Sequence, residues 1–331
     1  MPWYKGNLHC HSNCSDGQLP PPSVAQYYKS IDYDFLGISD HNQYTNLEDW
    51  ENAGKILGIP CCEYTGEDCC HVVAVNVTEP IAPNLNEEDM WKRSSADSEL
   101  IVEAEDDPIR KKIYILQDGI NKTIAAGGMP IIAHPFWHWT YDYKEVLQLK
   151  HCTHFELCNA SPDCNSIPLP GKSYPDEMWD NLLSNNYRIF GVASDDAHAY
   201  LDNYSPRSPF GGRGWNMVKA ASLTRENIVN ALKQGHFYAS TGVTISEYRV
   251  SPQGINISID IQHDERVTID FIGKDGRNLF SSHSPVAEYL FNWSEMYVRC
   301  RISSTAGPWA WTQPVFLDNL DDNAIGWTNQ E

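Results

Sequence analysis

At 331 residues, 41% hydrophobic and 21% charged, the chain has room for one large domain and a smaller one, and it is too apolar to be disordered. Its net charge of −20, from 44 acidic against 24 basic residues, excludes the basic footprint that long nucleic acids and anionic membranes require. No apolar run approaches the roughly 20 residues of a membrane-spanning helix. The first thirty residues show neither the basic start nor the apolar centre of a secretory leader. The ten cysteines include two adjacent pairs, Cys61-Cys62 and Cys69-Cys70, which do not readily close short disulfides. Together these features predict a cytoplasmic protein with free thiols. Without a paired C-x-x-C pattern, the thiols read as buried and inert rather than as zinc ligands.

Up to about residue 240, strand-like and helix-like segments alternate. Trp3 to His11 reads as a strand, and Pro20-Pro21-Pro22 opens a helix carrying Val24, Tyr27, Tyr28 and Ile31. Asp34 to Ser39 is a short strand ending in Asp40-His41, and Asn46 to Leu57 reads as helical. Strands follow at Ile59 to Tyr64 and His71 to Val77, then a polar, acidic excursion over 84–108. Ile109 to Ala126 is a helix stopped by Gly127-Gly128, before the strand Met129 to His134. Glu145 to Leu149 and Tyr174 to Asn185 read as helices, the latter with Pro175 near its first turn. Thr153 to Cys158 and Ile189 to Ser194 read as strands, and Thr224 caps a helix that ends at Gly235. Beyond Gly242 the period changes to two: Ile255, Ile257, Ile259 and Ile261, then Val267, Ile269 and Phe271, then Val298, Cys300 and Ile302 alternate with polar residues. Lys274-Asp275-Gly276-Arg277 between two such runs predicts a hairpin turn. The expected organisation is an α/β domain over 1–241 and a small antiparallel β domain with its tail over 242–331.

The ends of the first set of strands carry the chemistry. His9 and His11, Asp16 in the turn behind them, Asp40-His41, Glu63, His71, His134, and Asp195-Asp196-Ala197-His198 all fall at or beside strand ends. In an α/β barrel those ends gather at one face. Residues two apart on a strand point to the same side, so His9 with His11, and Asp196 with His198, can each chelate one cluster. Imidazole and carboxylate together are the ligands of zinc, manganese and iron.

In this order, His9-x-His11, Ser15-Asp16-Gly17, Ser39-Asp40-His41, a strand glutamate, Ala133-His134-Pro135 and Asp196-x-His198 resemble the PHP (polymerase and histidinol phosphatase) superfamily over residues 6–200. Gly214-Trp215-Asn216 and the run Gly235 to Gly242, followed by a β module, are similar to the PHP branch named for a carbamate hydrolase. The resemblance implies a distorted (β/α)7 barrel with two or three divalent ions, Mn, Zn or Fe. It implies one ion held by His9, His11, Glu63 and Asp196, a second by Asp16, His41 and His198, and a third by Glu63, His71 and His134. Glu67 is the alternative to Glu63, and Asp195 points away from Asp196. The implied activity is hydrolysis of a small phosphomonoester or phosphodiester by a metal-activated hydroxide. A carbamate, ester or amide hydrolase using the same cluster is the alternative, and a non-catalytic metal-binding module is the third reading. His198, Asp40 and His138 are candidate proton donors to the leaving group. Arg207 and Arg213, in a glycine-rich stretch, are candidates to grip an anionic small-molecule substrate, with Asn159 and Glu156 orienting it. Trp137, Trp139 and Trp215 are candidates to wall an organic group.

Overall fold

The computed structural model describes residues 1–83, 108–166, 174–200, 208–262 and 264–320. The acidic stretch read as an excursion lies almost wholly outside them, as does Arg207. The strands are β1 (Trp3–Asn7), β2 (Phe35–Leu36), β3 (Leu57–Gly58), β4 (Cys61–Thr65), β5 (His71–Val75), β6 (Met129–Ile132), β7 (His154–Asn159), β8 (Phe190–Ser194), β9 (Trp215–Lys219) and β10 (Phe237–Ser240). β1, β2 and β3 run parallel, and β9 and β10 continue that sheet antiparallel. β4 to β8 form a second, five-stranded sheet in chain order. In it β5 runs antiparallel to both β4 and β6, whereas β6, β7 and β8 are parallel. The fold is therefore mixed α/β, and among the described residues the two sheets do not close into one continuous ladder. Isolated bridges link strand ends, His41 with Glu63 and Cys10 with Ala197.

Local sequence explains these elements. Gly6 lets β1 approach β2, because a Cβ there would stand 2.2 Å from the Phe35 ring. The helix Pro21–Ser30 begins on prolines, whose missing N–H costs nothing in a first turn, and buries Val24, Ala25 and Tyr28. The helix Pro108–Ala125 buries Ile115, Leu116 and Ile120 and stops where Gly127 takes a φ of +78°. Pro175–Ser184 and Arg225–Lys233 start at Pro175 and at the Thr224 cap, as their sequence predicts.

Three local expectations are corrected. Residues 46–57 do not form one helix: a 3-10 turn, Leu47–Asp49, and a short helix, Glu51–Gly54, end at left-handed Lys55, and Leu57 enters β3. The helical turn expected at Glu145–Leu149 lies earlier, at Tyr143–Val146, where an Asp142–Glu145 capping box fixes its start. Ile261 lies just beyond its strand and is 36% exposed.

The remaining strands are β11 (Thr244–Ser251), β12 (Gly254–Asp260), β13 (Val267–Gly273), β14 (Arg277–Ser282), β15 (Val286–Leu290), β16 (Tyr297–Ser304), β17 (Trp309–Thr312) and β18 (Val315–Phe316). Each pairs antiparallel with its neighbours. A three-stranded sheet, β11-β12-β15, packs Ile255, Ile257 and Ile259 into one core with Ile269, Phe271, Val298 and Ile302 of β13 and β16. The β13–β14 turn is built on Asp275 and Gly276, both at positive φ. β17 pairs with β10, so the first sheet runs without interruption from β14 through β1 to β3.

Candidate metal centre

Glu63 sits in β4, fully buried, with five imidazoles around its carboxylate. His71 Nδ1 is 3.0 Å and His134 Nε2 3.3 Å from Oε1, and His41 Nδ1 is 2.7 Å from Oε2. His9 Nε2 is 3.3 Å from Oε1. His11 Nε2 lies 3.5 Å from Glu63 Oε2 and 3.1 Å from Asp196 Oδ1, and His9 Nε2 lies 3.2 Å from that same Asp196 oxygen. Asp16, in the turn after β1, faces His41 Nε2 at 3.5 Å and His198 Nε2 at 3.4 Å. All nine residues of the expected ligand set thus converge on one place. Three groups have donor atoms within 4.8 Å of one another: His9, His11 and Asp196; His11, Asp16, His41 and His198; and His41, Glu63 and His71.

The donor set fits divalent cations. His9 Nε2 and Glu63 Oε2 are buried and make no directed hydrogen bond among the described residues, although two carboxylate oxygens stand 3.3 and 3.2 Å from the first and His41 Nδ1 stands 2.7 Å from the second. Buried polar atoms crowded together without directed hydrogen bonds are costly unless a cation occupies the space between them. The electrostatics couple the same groups: burial would lower His9, His41, His134 and His198, but the neighbouring carboxylates raise all four. Burial alone would raise Glu63, but His9, His41 and His71 hold it well below the usual carboxylate range. Burial would likewise raise Asp196, yet His9 and His11 hold it low. Burial lowers His11 to about 4 despite its bond to Asp196, leaving a neutral ring able to ligate. Backbone geometry is special at two of the nine: His134 has a φ of 27° and Asp196 one of 47°. Strained residues of this kind cluster at functional sites.

The turn carrying Asp16 is held tightly. Gly17 passes so close to His11 that a Cβ would stand 2.3 Å from its carbonyl oxygen. Asp40 is buried beneath this turn and accepts from Ser12 N at 2.8 Å, Ser12 Oγ at 2.7 Å, Ser15 Oγ at 2.7 Å and Thr45 Oγ1. Glu67, the alternative to Glu63, is turned outward onto Lys111 Nζ at 2.7 Å. Asp195 points away from the cluster and accepts from the backbone N–H groups of Gly212, Arg213 and Gly214, at 2.9, 2.7 and 2.7 Å, and from Tyr28.

The cluster floors a cavity of about 860 Å³, walled by Cys14, Asn42, Gln43, Trp137, Ser161 and Asp163 among others. His198 lines it, whereas Asp40, His138, Asn159 and Arg213 do not. His138 is exposed, with its ring 5.3 Å from that of Trp137. Asn159 is buried and donates to Glu156 and Asp196. Of the three tryptophans considered, Trp137 reaches the cavity, edge-on to His71 and His134, while Trp215 packs on Tyr33. Glu156 proves central to the cluster's hydrogen bonding. Its signal in the sequence was its place near a strand end.

No family model matches the sequence, and no curated protein matches it. Among solved structures, the chain is similar to a two-domain protein of Bacteroides vulgatus containing a predicted PHP-like metal-dependent phosphoesterase, at 16% identity and a TM-score of 0.48 over 91% of this chain and 90% of that one. It is also similar to a proposed metal-dependent phosphoesterase of Bifidobacterium adolescentis, at 14% identity and a TM-score of 0.36 over 61% and 91% of the two chains. A third is an amidohydrolase of Chromobacterium violaceum with bound sulfate and no metal, at 16% identity and a TM-score of 0.38 over 61% and 93%.

Proposed function

We propose that this chain is a metal-dependent hydrolase of the PHP type that cleaves a small phosphomonoester or phosphodiester. The observation that carries this reading is the convergence of nine imidazole and carboxylate side chains, Glu63 among them, with buried polar atoms that make no directed hydrogen bond. The distorted (β/α)7 barrel and the division at residues 241 and 242 belong to the same proposal.

In this reading His9, His11, Asp16, His41, Glu63, His71, His134, Asp196 and His198 hold two or three divalent ions, Mn, Zn or Fe. Bound there, such ions supply an acidified water and positive charge for a developing oxyanion. The chain's own residues do the rest. Asp40 and Gly17 keep the Asp16 turn in place, and Glu63 draws the imidazoles of four strand ends together. The cavity admits a small molecule, and among the described residues its lining holds no Lys or Arg to track a long polyanion. Of the candidate proton donors, His198 is the one placed at the cavity, with Nδ1 held 2.9 Å from the Asp196 carbonyl oxygen and Nε2 toward Asp16. The cytoplasm is the proposed compartment, supported by ten free cysteines. No helix among the described residues is long and apolar enough to cross a membrane.

A carbamate, ester or amide substrate is the second reading, favoured by the neutral Asn42 and Gln43 and the Trp137 face in the cavity wall. The test is metal analysis of the purified protein, then turnover of p-nitrophenyl phosphate, its diester and a naphthyl carbamate after Mn loading. Hydrolysis of a phosphoester is expected, and turnover of the carbamate alone would overturn it. Asp196→Ala is expected to lose at least one ion per chain and to lower turnover by at least about 100-fold, since it removes a ligand outright. Full metal content with full turnover in that variant would sink the ligand assignment.

A further inference from the structure

Glu156 lies in β7, 1% exposed, and receives four hydrogen bonds. Its Oε1 lies 2.7 Å from His9 Nδ1 and accepts from Ser194 Oγ at 2.5 Å. Its Oε2 accepts from the backbone N–H of His134 at 2.7 Å and from Asn159 Nδ2 at 2.9 Å. The same Asn159 amide group donates to Asp196 Oδ2 at 3.1 Å.

We infer that Glu156 is the positioning residue of the metal centre: one carboxylate that fixes the tautomer of His9, the backbone of His134 and the orientation of Asp196. This rests on the reading of the cluster as a metal centre. A carboxylate can only accept, so His9 must carry its proton on Nδ1. In the neutral ring that a metal ligand must be, Nε2 is then the lone-pair atom, and it is the one found buried between Glu63 and Asp196 without a directed hydrogen bond. Histidines that bind metals are oriented in this way through their far nitrogen. The bond to His134 N pins a residue at positive φ, a conformation the chain does not hold without support. Through Asn159, the second oxygen steadies Asp196, itself at positive φ.

Glu156→Gln tests the inference, because it keeps the shape and replaces one acceptor with a two-proton donor. Facing His9, the amide N–H₂ forces the ring to move its proton to Nε2, the metal-facing atom. Facing the other way, it meets the N–H of His134 and the amide of Asn159, both donors. Two readouts are taken on full-length protein: zinc affinity by competition with a chromophoric chelator, and the His9 tautomer from imidazole 15N shifts of the zinc-free form at a pH where the ring is neutral. The expected result is a 10- to 100-fold loss of zinc affinity at one position of the cluster, with the His9 proton moved to Nε2 or exchanging between the nitrogens. Wild-type affinity with the proton still on Nδ1 would overturn the inference. If wild-type protein takes up zinc and the variant does so equally, only the role of Glu156 falls. If wild-type protein takes up no divalent ion, the metal-centre reading falls and carries this one with it. Should Glu156→Gln not fold, Asn159→Ala is measured instead: at least a tenfold affinity loss is expected, and unchanged affinity refutes the link to Asp196.

Discussion

Asp40 shows how a residue with catalytic chemistry can serve the backbone instead. Its two oxygens accept from three hydroxyls and one N–H, all from the turn and loop that frame Asp16. Hydroxyls can rotate to become acceptors, but the Ser12 N–H cannot. Asp40→Asn is therefore expected to cost about 2–3 kcal/mol of stability, the cost of leaving buried donors unpaired, measured as a lower urea midpoint at unchanged slope. The shape of the pH–rate profile should be retained, and disappearance of the alkaline limb would instead make Asp40 the proton donor. The nine converging residues were legible because each is a ligand-type side chain placed at a strand end, and strand ends can be read from local apolar runs. The company kept by Asp40 and Glu156 was not legible. It depends on hydroxyls and amides brought in from residues up to 38 positions away, and such residue types are common everywhere in a sequence. His138 looked poised because it follows a strand end, but the chain turns left-handed there, at a φ of 56°, and carries the ring outward.

Between elements, β7 and the helix Arg225–Lys233 are joined by a buried histidine. His154 Nε2 lies 3.0 Å from the Leu232 carbonyl oxygen at the helix end, and its ring sits between Phe190 and Phe237. Burial, opposed by that bond, lowers it from 6.5 to about 4. A folded-state value below the unfolded one means the unfolded chain binds the extra proton first. The stabilisation is complete above pH 6.5 and drains as pH falls toward 4. The limiting difference is on the order of 3 kcal/mol. His154→Phe, which cannot titrate, should flatten the wild-type fall in unfolding free energy between pH 6.5 and 4. Parallel curves for the two proteins would refute the role. Element type was largely legible here, since prolines, a threonine cap and glycines mark the helix ends. Strand direction was less so. An apolar run reads the same in both directions, but the short link from Thr65 to His71 permits only an antiparallel return, because a parallel crossover needs a dozen or more residues. The failure at 46–57 has a tertiary cause. Gly54 is packed so close to the helix Pro21–Ser30 that a Cβ would stand 2.4 Å from that of Ala25, and the segment breaks into turns to fit.

For the whole molecule, the charge of −20 takes on a different meaning once Asp16, Glu63 and Asp196 are seen to face one centre. Three divalent ions would bring it to −14 and make the cavity floor positive while the exterior stays acidic. A small anion is then admissible where a long one is not. The β strands beyond residue 242, legible from their period of two, are more closely joined to the rest than their separate pattern implies. The β10–β17 ladder continues the sheet, and Arg299 of β16 reaches across, fully buried. It donates to Asp180 Oδ1 and Oδ2 at 2.9 and 2.7 Å, pairs with Asp176 at 2.9 Å, and lies over Trp179. Tyr297 and Trp311 donate to the same two aspartates of the helix Pro175–Ser184. Removing one partner from a buried ion pair leaves the other charge uncompensated, which costs about 3–5 kcal/mol. Arg299→Met keeps most of the volume and should show a loss of that size. Because the joint is shared, wild-type protein should unfold in a single transition, with the same urea midpoint by tryptophan fluorescence and by far-ultraviolet circular dichroism. Two separated transitions in the wild type would mean that the β strands are an independent unit and that Arg299 merely docks them.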